Sequence, residues 1–252
     1  MTTADLSSED FSGKHVIVTG GATGIGASIV TAFARRKAQV SFLDNNVLAG
    51  ERLAQSLGDD VHFADVDLSD VDRARDAIDH LCETAGRIDV LVNNAANDTR
   101  HATQDVTPES WRNTLAINLD HKFFCSQTVL PKMQMQGHGV ILNFGSIAWR
   151  VGLADAVGYV TAKAAIEGLT RALAQEGGPF GVRVNCLLPG FVRTERQVEK
   201  WLTPESSKLI LEQQCLKRFI EPEEIADVAV FLCSDAARAI TKQTIVVDAG
   251  WS

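Results

Sequence analysis

The sequence predicts an α/β fold: a single doubly wound parallel sheet with helices on both faces. Three observations carry that expectation. Short apolar, β-branched runs alternate with helix-like segments along the chain. The first such run passes directly into a Gly-rich turn and then a helix. The 252 residues contain only 6 prolines, with no linker and no internal repeat, so residues 1–252 are expected to form one domain.

The elements follow in order. His15 to Thr19 reads as a short buried strand and leads into Gly20-Gly21-Ala22-Thr23-Gly24-Ile25-Gly26. A helix from Ile25 to Ala38 is expected from the apolar spacing of Ile25, Ile29, Ala32 and Phe33. Gln39 to Leu43 is the second strand, ending at Asp44, and Val61 to Ala64 the third. Val71 to Ala85 has helical character, and Val90 to Asn93 is a fourth strand. Gly139 to Phe144, Arg183 to Leu188 and Thr244 to Asp248 supply three further strands, with an Ala-rich helix from Tyr159 to Leu173 between the first two. In such sheets ligands bind beyond the carboxyl ends of the strands. Thr19/Gly20, Asp44, Asp65, Asn93, Ser146 and Pro189 all fall at those ends.

Strand, Gly-rich turn and helix together make a phosphate site, because glycines admit close approach and the helix N-terminus offers free amides and a positive dipole end. Asp44 stands twenty residues beyond Gly24, where a carboxylate accepts from the ribose hydroxyls of an adenosine and repels a 2′-phosphate. No Arg or Lys lies between Gly20 and Gly26 or directly after Asp44. NAD is therefore the expected cofactor, ahead of NADP, on a Rossmann-type sheet.

Tyr159 is the only tyrosine in the chain, four residues before Lys163 and thirteen after Ser146. On a helix, positions four apart share a face. A neighbouring ammonium is expected to pull the phenol down from its usual value near ~10 towards use as a base. Ser146 would then hydrogen-bond the reacting oxygen.

Composition restricts the partners. A net charge of −8 argues against nucleic acid and anionic membrane and favours a small-molecule substrate. The first fifteen residues, with Asp5, Glu9 and Asp10, show no apolar secretory core, so a cytoplasmic protein is expected. The five cysteines (Cys82, Cys125, Cys186, Cys215, Cys233) form no Cys-x-x-Cys pair and read as reduced thiols. The six histidines show no metal-ligand spacing, and no metal is expected.

Taken together, these motifs resemble the short-chain dehydrogenase/reductase family, nearly end to end. The stretch from Thr19 to Gly26 is similar to the family's cofactor turn, which implies contacts from Gly20, Thr23, Gly24, Ile25 and Gly26. Asp65-Val66 matches its adenine-contacting pair, and Asn93-Asn94-Ala95 its strand-end motif, with Ala96 where the family usually has Gly. Asn118, Ser146, Tyr159 and Lys163 match the catalytic tetrad, in which Lys163 also bonds the nicotinamide ribose and Asn118 holds a proton-relaying water. Pro189-Gly190, Val192 and Thr194 match the segment that covers the nicotinamide. The resemblance also implies a homotetramer built on the helices near Pro108 and Tyr159. A C-terminal Trp251 reaching a neighbouring subunit is a further expectation.

The substrate is expected to meet Ser146, Tyr159, Trp149, Asn97, Asp98 and His101. The loop Asn97-Asp98-Thr99-Arg100-His101 is rich in hydroxyl-binding groups, and Trp149 offers an aromatic face for a sugar ring. The loops resemble those of bacterial aldose 1-dehydrogenases in the family, implying oxidation of a monosaccharide's anomeric hydroxyl to a lactone. Two alternatives remain open at this stage: an NAD(P)H-dependent carbonyl or 3-oxoacyl reductase, and a cofactor-binding regulatory module without activity.

Overall fold

A computed structural model describes residues 10–252; the N-terminal stretch carrying Asp5 and Glu9 lies outside the described residues. Its strands are β1 (His15–Thr19), β2 (Gln39–Asp44), β3 (Val61–Asp65), β4 (Val90–Asn93), β5 (Gly139–Phe144), β6 (Val182–Pro189) and β7 (Thr244–Val247). All pair in parallel, in the order β3-β2-β1-β4-β5-β6-β7. Strand β1 therefore has β2 on one side and β4 on the other. Chain direction across the sheet reverses there, which opens a crevice at the carboxyl edge.

Side-chain alternation divides the core into two layers. Val16 and Val18 of β1, Val90 and Val92 of β4, and Val140 and Leu142 of β5 face one layer; Ile17, Leu91 and Ile141 face the other. The first is closed by α1 (Gly24–Ala34) and α9 (Pro222–Cys233) through Ile29, Phe33, Ile225 and Ala229. The second is closed by α3 (Val71–Ala85) and α5 (His121–Gln136) through Ile78, Cys82, Val129 and Met133. Strands buried on both faces need apolar residues at consecutive positions, and β1 and β5 are buried at every residue.

Helix α1 ends at Ala34, four residues short of the expected Ala38. The chain must reverse to enter β2, and it does so through Lys37 at φ +62°, a conformation that no glycine signals in the sequence. The remaining helices are α2 (Val47–Leu57), α4 (Pro108–Leu115), α6 (Val157–Gly177), α7 (Glu195–Trp201) and α8 (Pro204–Gln213). No element is expected from the sequence at α2, α7, α8 or α9. The N-termini of the last three were nevertheless marked: Thr194 and Thr203 cap by accepting from Gln197 and Ser206, and Pro204 and Pro222 stand in the first turns. Four of the five cysteines are buried and Cys215 is exposed; all five are free. No described helix is long and apolar enough to cross a membrane.

Candidate active site

The Gly-rich turn is fixed by its neighbours on both sides. Gly20 has φ +67°, and a Cβ there would lie 2.7 Å from the Ala95 backbone, so the turn packs directly on the end of β4. A Cβ on Gly26 would fall 1.8 Å from the Gly20 carbonyl oxygen, which keeps α1 tight against the turn. Thr23, at the N-cap, makes no side-chain bond to the first-turn amides, and no acidic side chain stands in that turn. The amides are left for an outside acceptor, which fits a pyrophosphate. Asp44 braces the same turn, its carboxylate accepting from Ala22 N at 3.0 Å and Asn46 N at 2.9 Å. A carboxylate has about four acceptor positions, so two remain for ribose hydroxyls. Asp65 is its register partner on β3, and buried Val66 donates its N–H to the Asp44 carbonyl.

At the end of β4, Asn94 acts first on the turn itself: its Nδ2 donates to Thr19 O at 3.1 Å and Gly20 O at 2.8 Å. Ala96, in place of the family's glycine, is exposed and displaces nothing in the core. A residue missing from the sequence reading, Lys122, is fully buried, with Nζ donating to Asn93 O at 2.6 Å and Ala95 O at 3.0 Å. It ties α5 to the strand end. The available signal was its position four residues after Asn118 on a helical path.

Asn118 lies in a π-helical turn, Ala116–Asp120, that joins α4 to α5. Such turns mark functional sites more often than ordinary helix does. Its Oδ1 accepts from Asn97 N at 3.0 Å, while Nδ2 donates to Asn97 O at 2.9 Å and Thr114 O at 3.0 Å. Both N–H groups are used, and the side chain thereby positions the Asn97 loop.

Ser146 follows β5 and Tyr159 opens α6, which brings the two hydroxyls to the same edge of the sheet, close enough for Ser146 to act on the phenol. Lys163, 1% exposed, lies one turn further on; its Nζ donates to Phe144 O at 3.1 Å and sits 5.4 Å from the centroid of the Tyr159 ring. The expected lowering of the Tyr159 pKa by Lys163 is not met by this arrangement. Burial pushes the phenol up to about 12, the Ser146 hydroxyl opposes that rise and the Asp98 charge adds to it. Lys163 stands over the ring and is itself brought down to about 8 by burial.

After β6, Gly190 donates its N–H to Val247 O at 2.9 Å, and a Cβ on it would lie 2.7 Å from the Asp248 backbone. Val192 bridges to Ile220, and Thr194 caps α7 with its methyl 3.2 Å from the Cβ position of Gly24. Helix α7 is latched to the loop after β4. Arg196 bonds the Asp98 carboxylate at 2.9 and 3.1 Å, Gln197 bonds it at 2.6 Å, and Arg100 lies 4.0 Å over the Trp201 ring. Burial opposes the Asp98 charge, but these hydrogen bonds hold its pKa below the usual carboxylate range.

The residues expected at the substrate therefore divide. His101 and Tyr159 line one cleft together with Thr99, Trp111 and Gly158. Asn97 is occupied, its Oδ1 accepting from Thr99 and Arg196. Trp149 packs against the small cluster of Ile147, Ile166, Cys186 and Leu188, with Arg150 beside its ring. Trp251 packs against that same cluster of its own chain. Among the described residues no group of three His, Cys, Asp or Glu side chains is placed to hold a metal ion.

A phosphate-receiving turn and a hydroxyl pair backed by a buried lysine, on one edge of a doubly wound sheet, define a dinucleotide-dependent oxidoreductase. Comparison with known proteins agrees. A family model described as enoyl-(acyl carrier protein) reductase matches residues 20–252. The chain is 44% identical to the probable galactose dehydrogenase GalD of Rhizobium meliloti (strain 1021), over 99% of each protein. It is 47% identical to the D-xylose 1-dehydrogenase of Caulobacter vibrioides, over 95% of this chain and 96% of that protein. A crystal structure from Sinorhizobium meliloti 1021, assigned to the short-chain alcohol dehydrogenases, superimposes with a TM-score of 0.91 at 33% identity, covering 96% of this chain and 97% of the other. The chain belongs to the short-chain dehydrogenase/reductase family.

Proposed function

We propose that the protein oxidises the anomeric hydroxyl of an aldose to a lactone with NAD. The observation that carries this reading is the Ser146–Tyr159–Lys163 group, set beside a phosphate-receiving turn in a chain related over nearly its whole length to sugar dehydrogenases. Bound at this edge, NAD supplies the acceptor for the hydride that leaves the anomeric carbon. Its pyrophosphate would meet Gly20, Thr23, Gly24, Ile25 and Gly26, its adenosine Asp44, Asp65 and Val66, and its nicotinamide end Asn94, Lys163, Pro189, Gly190, Val192 and Thr194. Asp44 and the absence of a nearby cation on the turn favour NAD over NADP.

Tyr159 Oη, as phenolate, takes the hydroxyl proton while the carbonyl forms, and Ser146 Oγ–H holds the same oxygen. Because burial keeps the phenol at about 12, the reactive fraction grows as pH rises, and oxidation accelerates towards alkaline pH. Lys163, brought down to about 8, places a cation beside the ring below that pH. A carbonyl or 3-oxoacyl reductase would ordinarily take NADPH, whose phosphate Asp44 opposes.

The protein works in the cytoplasm as a homotetramer. Ala164, Ala165 and Ala172 of α6 are exposed, while Leu173 of the same stripe is buried, which leaves a surface of small side chains available to a second copy. The test is NADH formation over a panel of aldoses, polyols and simple secondary alcohols, with NAD and with NADP. Turnover of one or two aldoses with NAD is expected. Activity confined to aliphatic alcohols, or to ketones in reverse, would overturn the reading.

A further inference from the structure

Gln214 is 1% exposed, yet neither Oε1 nor Nε2 of its side-chain amide has a hydrogen-bond partner among the described residues. A buried amide left unpaired is a liability that an apolar side chain of the same shape would remove. The neighbouring chain is well ordered by bonds that do not involve that amide. Gln214 N donates to Ile210 O at 3.2 Å, Cys215 N to Gly250 O at 3.2 Å and Leu216 N to Ala249 O at 3.0 Å, while Lys217 Nζ returns to the Glu212 and Gln214 carbonyls. The turn after α8 is thereby stitched to the C-terminal segment.

That segment adjoins the reaction site. Trp251, next to Gly250, packs on the cluster containing Ile147, the residue after Ser146, and Trp149 packs on the same cluster. Trp149 Nε1 is a second buried donor without a partner. Trp149 Nε1 is thus an unpaired donor on an apolar wall that begins beside Ser146, and Gln214 stands in the turn whose next residues are bonded to the segment that brings Trp251 to that wall.

We propose that Gln214 is a specificity-determining residue whose amide pairs with hydroxyls of the bound sugar, with the Trp149 N–H as a second donor. A sugar hydroxyl both gives and accepts, as does the amide, so a polyhydroxylated substrate satisfies both Gln214 atoms where a simple secondary alcohol has no spare hydroxyl to offer. This rests on the aldose reading above.

The experiment is Gln214→Met in the full chain, an isosteric change that removes only the amide's polarity. The wild type is first assayed on the aldose panel, and KM, kcat and the thermal midpoint of both proteins are then measured. The expected result is a rise of at least about tenfold in the aldose KM, with kcat held within about threefold, the NAD KM unchanged, and a thermal midpoint equal or higher. An unchanged aldose KM, or a variant that melts lower or fails to fold, shows that the amide serves the fold and overturns the assignment. A wild type silent on every aldose overturns the substrate reading and this use of Gln214 with it. Activity of the wild type with an indifferent variant overturns the Gln214 assignment alone.

Discussion

Gly26→Ala tests the phosphate turn by geometry. Helix propensity alone would make the change favourable by about 0.8–1 kcal/mol. The structure reverses that sign. The new methyl would start 1.8 Å from the Gly20 carbonyl oxygen and 2.8 Å from Asn94 Nδ2, and the first contact must open to at least 3.0 Å. The nearer atom is backbone, so the turn or the helix has to move. Overpacking of this kind costs about 1–3 kcal/mol. Loss of the 2.8 Å bond from Asn94 to Gly20 costs about 1 kcal/mol more. The net is a loss of roughly 1–3 kcal/mol, or a fall in Tm of about 2–12 °C for a domain of this size. Because the displaced amides are those proposed to receive the pyrophosphate, the KM for NAD should rise at least about tenfold. Calorimetry and initial-rate kinetics over NAD concentration decide the matter. A Gly26→Ala protein with wild-type Tm and NAD KM would refute the close-packing argument.

Other predictions rest on single groups. Tyr159→Phe should lose at least about 100-fold in kcat while the NAD KM stays near wild type; retained turnover would remove Tyr159 as the base. Burial depresses the pKa of His15, and that of His121 still further, so both are neutral in the fold. In the unfolded chain each titrates near ~6.5. Their stabilising effect is therefore complete above about pH 6.5 and is lost as pH falls, with a slope of up to ~1.4 kcal/mol per unit for each group. The urea midpoint should drop between about pH 7.5 and 5.5, and His121→Gln should remove part of that drop. A flat midpoint over the interval would show that the imidazoles take up protons within the fold.

The strands and the turn were legible because their signals are local. Two-sided burial demands consecutive apolar residues, and the Gly-rich turn joins β1 to α1 without interruption. Ser146, Tyr159 and Lys163 were legible because a strand end and one helical turn bring them together. The destination of long polar side chains was not legible. Lys122 spans from α5 to the carbonyls of β4, Asp98 is claimed by Arg196 and Gln197 nearly a hundred residues later, and Asn118 spends its amide on the Asn97 backbone. Such pairings are set by tertiary distance, which sequence spacing does not encode. The sign of the Tyr159 shift failed for the same reason: spacing placed Lys163 on the correct face, but its ammonium lies over the ring and desolvation dominates.

Asp98 joins two functions that can be separated experimentally. Its carboxylate latches α7 to the β4 loop, and its charge raises the pKa of both Tyr159 and Lys163. Arg196, the cation on that carboxylate, offsets part of the charge. Asp98→Asn removes the negative charge, so the phenolate becomes easier to form and the alkaline rise in kcat should begin at lower pH. Arg196→Ala leaves the carboxylate without its cation, so the same rise should begin at higher pH. Both changes weaken the latch, which makes the direction of the shift the informative quantity. If Asp98 served only to hold the helix, the two variants would share a raised aldose KM and an unmoved pH profile. Opposite displacements of the profile, measured with saturating sugar and NAD, would show that the latch also sets the acidity of the catalytic tyrosine.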